Sequence, residues 1–234
     1  MTQVNHLFSE IRAAISDGSA PFIETPDGAT LTYDGLVERS AAYANALVAL
    51  GVTPGDRVAV QVEKSADALM LYLGTVRAGG VFLPLNTAYT PAEVEYFVGD
   101  AKPAVVVCDP ARRDAIAPIA EKTGARLETL DGAGKGSLSA AADASATSFE
   151  DVARGADDLA AILYTSGTTG RSKGAMLSHE NLASNARVLM REWRFTSDDV
   201  LLHALPIFHT HGLFVATNVT LLAGGSLLFL PKFR

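Results

Sequence analysis

The chain has 234 residues, 48% of them hydrophobic and 19% charged, with a formal net charge of -7 and a pI near 5.2. That composition excludes a disordered polypeptide, and the acidic balance argues against nucleic acid or an anionic membrane as the main partner, so any anionic substrate has to be met by local cations. A single cysteine excludes an internal disulfide framework or a cysteine zinc site, and no apolar run reaches membrane-spanning or signal-peptide character, which makes a reducing cytosol the expected compartment.

Val4, Leu7, Phe8, Ile11 and Ile15 recur at helical spacing and predict an opening amphipathic helix. Residues 22–24 and 30–32 flank Thr25-Pro26-Asp27-Gly28 and read as a hairpin. A long helix through Leu36, Tyr43 and Leu47 stops at Gly51 and Pro54-Gly55. Strand and helix then alternate. Strands are predicted at 58–62, 81–83, 104–108 and 126–130, and Ser65, the capping box Thr90-Pro91-Ala92-Glu93 and Asp109-Pro110 start the helices between them. Repeated βαβ units imply an α/β fold, mostly parallel sheets covered by helices on both faces. Cys108 ends the apolar run 104–107 and reads as a small buried hydrophobe.

Residues 131–146, rich in Gly, Ala and Ser, read as a surface excursion. Next comes the buried strand Leu159-Ala160-Ala161-Ile162-Leu163, followed by Tyr164-Thr165-Ser166-Gly167-Thr168-Thr169-Gly170-Arg171-Ser172-Lys173-Gly174. Glycines allow close backbone approach to a ligand, while the hydroxyls of Thr165, Ser166, Thr168 and Thr169 and the Lys173 ammonium supply donors and charge suited to a polyphosphate. A plain turn between strands would more often carry Asn, Asp or Pro, and a P-loop would place Ser or Thr after the lysine, where this chain has Gly174.

Beyond the loop, a short strand at 175–177, a helix capped by Ser178, and a strand at 200–204 broken by Pro206 are expected; an apolar segment at 213–222 reads as helix and 226–230 as a last, exposed strand. Three of the five histidines, His203, His209 and His211, fall within nine residues. With no Cys, Asp or Glu nearby at ligand spacing, a zinc pair is disfavoured, and His203 within its strand reads as a hydrogen-bonded structural residue.

The run from Tyr164 to Gly174 resembles the ATP-binding signature of the adenylate-forming superfamily, which includes acyl-CoA synthetases; its one departure is Ser172, where many members have Pro. Pro206-Ile207-Phe208-His209 and residues 77–86 are similar to the same family, so the resemblance covers nearly the whole chain. It implies an AMP-forming acid–CoA ligase that uses ATP, Mg²⁺ and CoA. Thr165, Ser166, Gly167, Thr168, Thr169, Gly170 and Lys173 would bind the nucleotide, Lys173 and His209 would be catalytic, and His209 and His211 would line the acid pocket. Stretches 61–65, 85–90 and 203–215 resemble malonate-activating members, so malonate is the expected acid, with another short-chain or aryl acid as the alternative. A nucleotide-binding module without ligase activity is the contrasting reading. The family's downstream Gly-x-Thr-Glu element is absent, and the expectation is therefore an N-terminal AMP-binding domain over 1–234, with a first sheet subdomain over about 30–160, the start of a second over about 160–234, and the remainder of a ligase to follow.

Overall fold

The structure is a computed structural model and describes residues 4–165 and 172–231. Helix α1 (His6–Ala14) is capped by Asn5, whose side chain accepts from the Phe8 amide, and it buries Leu7, Phe8 and Ile11. Strands β1 (Pro21–Glu24) and β2 (Thr30–Thr32) form the expected hairpin, after which Thr32 caps α2 (Tyr33–Ala49). The alternation then runs β3 (Arg57–Gln61), α3 (Ala66–Arg77), β4 (Val81–Pro84), α4 (Pro91–Ala101), β5 (Val105–Cys108), a 3₁₀ turn leading into α5 (Arg113–Thr123), and β6 (Arg126–Thr129). The capping box is present, with the Thr90 and Glu93 side chains bonded to each other's backbone amides at the start of α4.

Four findings depart from expectation. The 131–146 excursion contains a helix, α6 (Ser137–Asp143), because Leu138 and Ala142 bury a small apolar face. The strand after the central loop, β8 (Lys173–Ser178), runs antiparallel to β7 (Leu159–Thr165), so the loop closes a hairpin within an otherwise parallel sheet. After α7 (His179–Trp193) and β9 (Val200–His203), the apolar segment begins as a π-helical turn over His211–Thr217 before settling into α8 (Asn218–Ala223). Finally, β10 (Ser226–Phe229) is no exposed edge: it lies between β1 and β9, parallel to both.

Two sheets result, one of four strands in the order β2-β1-β10-β9 and one of six in the order β6-β5-β3-β4-β7-β8. Each contains strands from both sides of residue 160, since the hairpin at 21–32 joins β9 and β10 while β8 completes the six-stranded sheet. Side chains alternate across that sheet with period two: Val58, Val60, Val105 and Val107 enter the larger core with α3 and the four-stranded sheet, whereas Ala59, Val106 and Cys108 enter a second core with α4 and α5. The parallel strands are thus covered on both faces. Burial pushes the Cys108 thiol up to about 11, which fits an inert packing residue. No helix among the described residues is long and apolar enough to cross a membrane.

Candidate functional site

In open α/β sheets, ligands bind beyond the carboxyl ends of the strands. Strands β3, β4 and β7 are parallel, so the end of β7 lies on the same edge as the ends of β3 and β4. Thr165 is the last residue of β7 and sits directly across the ladder from Lys173, the first of β8, with both side chains exposed. Those two predicted site residues are therefore neighbours, about 5 Å apart by strand geometry. The predicted Ser166, Gly167, Thr168, Thr169 and Gly170 lie outside the described residues.

The foot of this hairpin is tied to α4. The Tyr164 hydroxyl bonds the Asp100 carboxylate at 2.5 Å, and the Tyr96 hydroxyl donates to the Ser172 carbonyl at 2.9 Å. Around them the rings of Tyr89, Tyr96, Phe97 and Tyr164 form a cluster, with Phe97 and Tyr164 centroids 4.6 Å apart. Gly174, opposite Tyr164, leaves room for that arrangement: a Cβ there would stand 3.0 Å from Ile162 Cγ2 and 3.5 Å from the Tyr164 ring. Burial and then the Asp100 carboxylate hold the Tyr164 phenol well above its ordinary range, so it remains a donor.

The second constellation starts where β9 ends. His203 is buried, and its Nε2 lies 2.8 Å from the Gly212 carbonyl, which assigns the proton to Nε2 and leaves Nδ1 as an acceptor. Lys64 supplies that partner, its Nζ donating to His203 Nδ1 at 2.8 Å and to the His203 carbonyl at 2.6 Å while lying 4.2 Å from the centre of the Phe229 ring. Burial pulls the Lys64 amine down to about 7; burial and then the adjacent Lys64 pull His203 down to about 4. His203 is thus the hydrogen-bonded structural residue expected from its strand position. Lys64 lies in the stretch 61–65 singled out by resemblance, but its contact with His203 was not foreseen, because 139 positions separate the two and no local pattern joins them.

The chain next folds back tightly, as a Cβ on Gly212 would lie 2.1 Å from the Pro206 carbonyl oxygen. His209 and His211 are exposed, the first with its ring centroid 4.6 Å from that of Phe208, the second opening the π-helical turn. Such turns cluster at functional sites. Ile207 and Phe208 line one small cavity with Val60, Val62, Phe82 and Pro84, which places the Pro206–His209 segment against the carboxyl ends of β3 and β4. A cleft of about 300 Å³ runs between Glu63, Lys64 and residues 204–208. The loop hairpin and the histidine segment therefore approach the same edge of the sheet from two sides.

Among the described residues, one cluster of His and carboxylate groups is close enough to hold a metal, His6, Glu10 and Glu180, and it lies on α1 and α7 rather than at this edge. The Arg187 guanidinium already bonds both carboxylates, at 2.5 Å each. No described carboxylate set at the hairpin fits Mg²⁺.

The Thr165 and Lys173 ends of a hairpin and the Pro206–His209 segment thus share the carboxyl edge of a mostly parallel α/β sheet, the usual ligand-binding edge of this fold class. The family model described as AMP-binding enzyme matches residues 11–234, and the chain belongs to that family. It is 35% identical to a malonate--CoA ligase of Arabidopsis thaliana over 78% of this chain and 30% of the relative. It is 36% identical to a feruloyl-CoA synthase of Amycolatopsis over 88% of this chain and 40% of that protein. The crystal structure of ATP-bound MatB from Rhodopseudomonas palustris superposes with a TM-score of 0.96 at 61% identity, covering 99% of this chain and 46% of that one. The fold is accordingly that of the N-terminal part of an adenylate-forming enzyme, and the chain spans less than half the length of these relatives.

Proposed function

We propose that the chain is the N-terminal part of an acid–CoA ligase that activates malonate with ATP and passes the acyl group to CoA. The observation that carries this reading is the pairing of Thr165 with Lys173 on the sheet edge that Ile207 and Phe208 also reach, in a chain with relatives named malonate--CoA ligase. In the first step a carboxylate oxygen attacks the α-phosphorus, and the bond to pyrophosphate breaks. In the second the CoA sulfur attacks the acyl carbonyl, and AMP leaves. Nucleophile and electrophile are both anionic at the first step, so the protein's task is to neutralise phosphate charge where it develops. The exposed Lys173 ammonium and the Thr165 hydroxyl are donors for that role, with Mg²⁺ arriving as part of the Mg–ATP substrate. His209, beside Phe208, positions the acid's carboxylate.

The test is pyrophosphate release with ATP, Mg²⁺ and a panel of malonate, methylmalonate, acetate, octanoate and coumarate, run on this chain and on the polypeptide read to the end of its frame. Malonate-dependent release is the expected result. Because the feruloyl-CoA synthase relative is as similar as the malonate one, release with coumarate alone would move the acid to the aryl class. Release that ignores every acid would leave a nucleotide-binding module. His209→Ala is expected to lower turnover about tenfold or more while changing the ATP KM less than about twofold, since it removes an interaction with the acid and none with the nucleotide. Equal loss in both parameters would show instead that the segment had lost its fold.

A further inference from the structure

We propose that Tyr96 and Asp100 on α4 are positioning residues for Lys173, holding the two ends of the loop hairpin in one register for the nucleotide. The inference rests on the reading of Lys173 as a nucleotide-binding residue and adds where its placement comes from. Strand β8 is the edge of the six-stranded sheet, and residues 173–176 are all exposed, Met176 by 66%. Core packing therefore does little to hold the strand that carries Lys173. Its ladder to β7 is one constraint, and the Tyr96 hydroxyl of α4 on the Ser172 carbonyl is another; the Asp100 carboxylate of α4 holds Tyr164 on the partner strand.

These contacts fall at the two positions that matter. Tyr96 donates to the carbonyl of Ser172, the peptide immediately before Lys173, and Asp100 accepts from Tyr164, the residue immediately before Thr165. The helix that supplies both is itself fixed. Its capping box closes the first turn, Phe97 and Val98 are buried, and Arg112 donates to the Thr87 and Tyr89 carbonyls just ahead of it at 2.7 and 2.6 Å. One rigid element thus clamps both arms of the hairpin, as a preorganised site requires.

The experiment is a double-mutant cycle between Tyr96→Phe and Lys173→Ala, read as the KM for ATP, the KM for the acid and kcat in the polypeptide carried to the end of its reading frame. Tyr96→Phe keeps the ring and removes the hydroxyl. It is expected to raise the ATP KM about fivefold, the usual consequence of losing one neutral hydrogen bond, with the acid KM and the thermal midpoint unchanged. Asp100→Asn, which retains an acceptor for the Tyr164 hydroxyl, is expected to keep the ATP KM close to wild type, whereas Asp100→Ala, which removes it, is expected to raise it. On the Lys173→Ala background, Tyr96→Phe should add almost nothing, because its effect passes through the missing ammonium. A costly Lys173→Ala combined with a neutral or fully additive Tyr96→Phe overturns the positioning role and leaves the nucleotide reading standing. A Lys173→Ala variant with wild-type ATP KM overturns both.

Discussion

Lys173→Ala is expected to reduce acid-dependent pyrophosphate release by about a hundredfold or more in the polypeptide read to the end of its frame. Removing one charge-stabilising donor from a preorganised site commonly costs a factor of 10² to 10³. Lys173 has an exposed side chain at the start of β8, so its truncation takes nothing from either core and the denaturation midpoint should stay where it was. Activity lost without stability lost is the signature sought. Unchanged pyrophosphate release would remove Lys173 from the mechanism and, with it, the assignment of the loop.

The second large effect is on stability in mild acid. His179 and His203 are buried, and both are held neutral with pKa values lowered to about 4; burial leads in each case, followed by Arg154 for the first and Lys64 for the second. His179 Nδ1 accepts from the Leu7 amide and His203 Nδ1 from Lys64; the Asp158 carboxylate favours protonated His179, but burial and Arg154 outweigh it. In the unfolded chain both titrate near 6.5. Between about pH 6.5 and 4 the unfolded state therefore binds more protons than the folded one, and stability falls as pH falls through that window. The expected loss is on the order of 2–3 kcal/mol per histidine by pH 4, read as the urea midpoint at a series of pH values. Lys64, lowered to about 7, acts in the same sense higher up, so stability should rise further between about pH 7 and 10.5. A midpoint indifferent to pH from 6.5 to 4.5 would mean that both rings accept protons in place, against the burial described.

What could be read in advance follows from how local each signal is. The βαβ alternation, the Thr90 capping box and the buried Cys108 depend on a few consecutive residues, and all were legible. The phosphate-loop expectation was of the same kind, a run of glycine, hydroxyl and lysine, and the structure describes its Thr165 and Lys173 ends. Its antiparallel exit was not legible, because three apolar residues at 175–177 suit either strand direction. The foot of the hairpin was hidden for a different reason: Tyr96 and Phe97 on α4 look like ordinary core spacing, and only the fold shows one hydroxyl turned to the Ser172 carbonyl. Lys64 and His203 are joined by topology alone. The last strand was misjudged because a chain's final apolar run gives no hint of a partner near its beginning.

That last pairing orders events in time. Ile23 on β1 aligns with Leu227 on β10, about two hundred residues away, whereas the six-stranded sheet is complete once residue 178 is available. During synthesis from the N-terminus the hairpin β1–β2 emerges early but can pair with β10 only after about two hundred further residues, a long loop closure. Until then Ile23 and Glu24 lack their β10 ladder partners, Leu227 and Leu228. Pairing of β1 with β10 is thus among the most non-local contacts of the fold, the kind whose closure entropy has to be met before the contact stabilises anything.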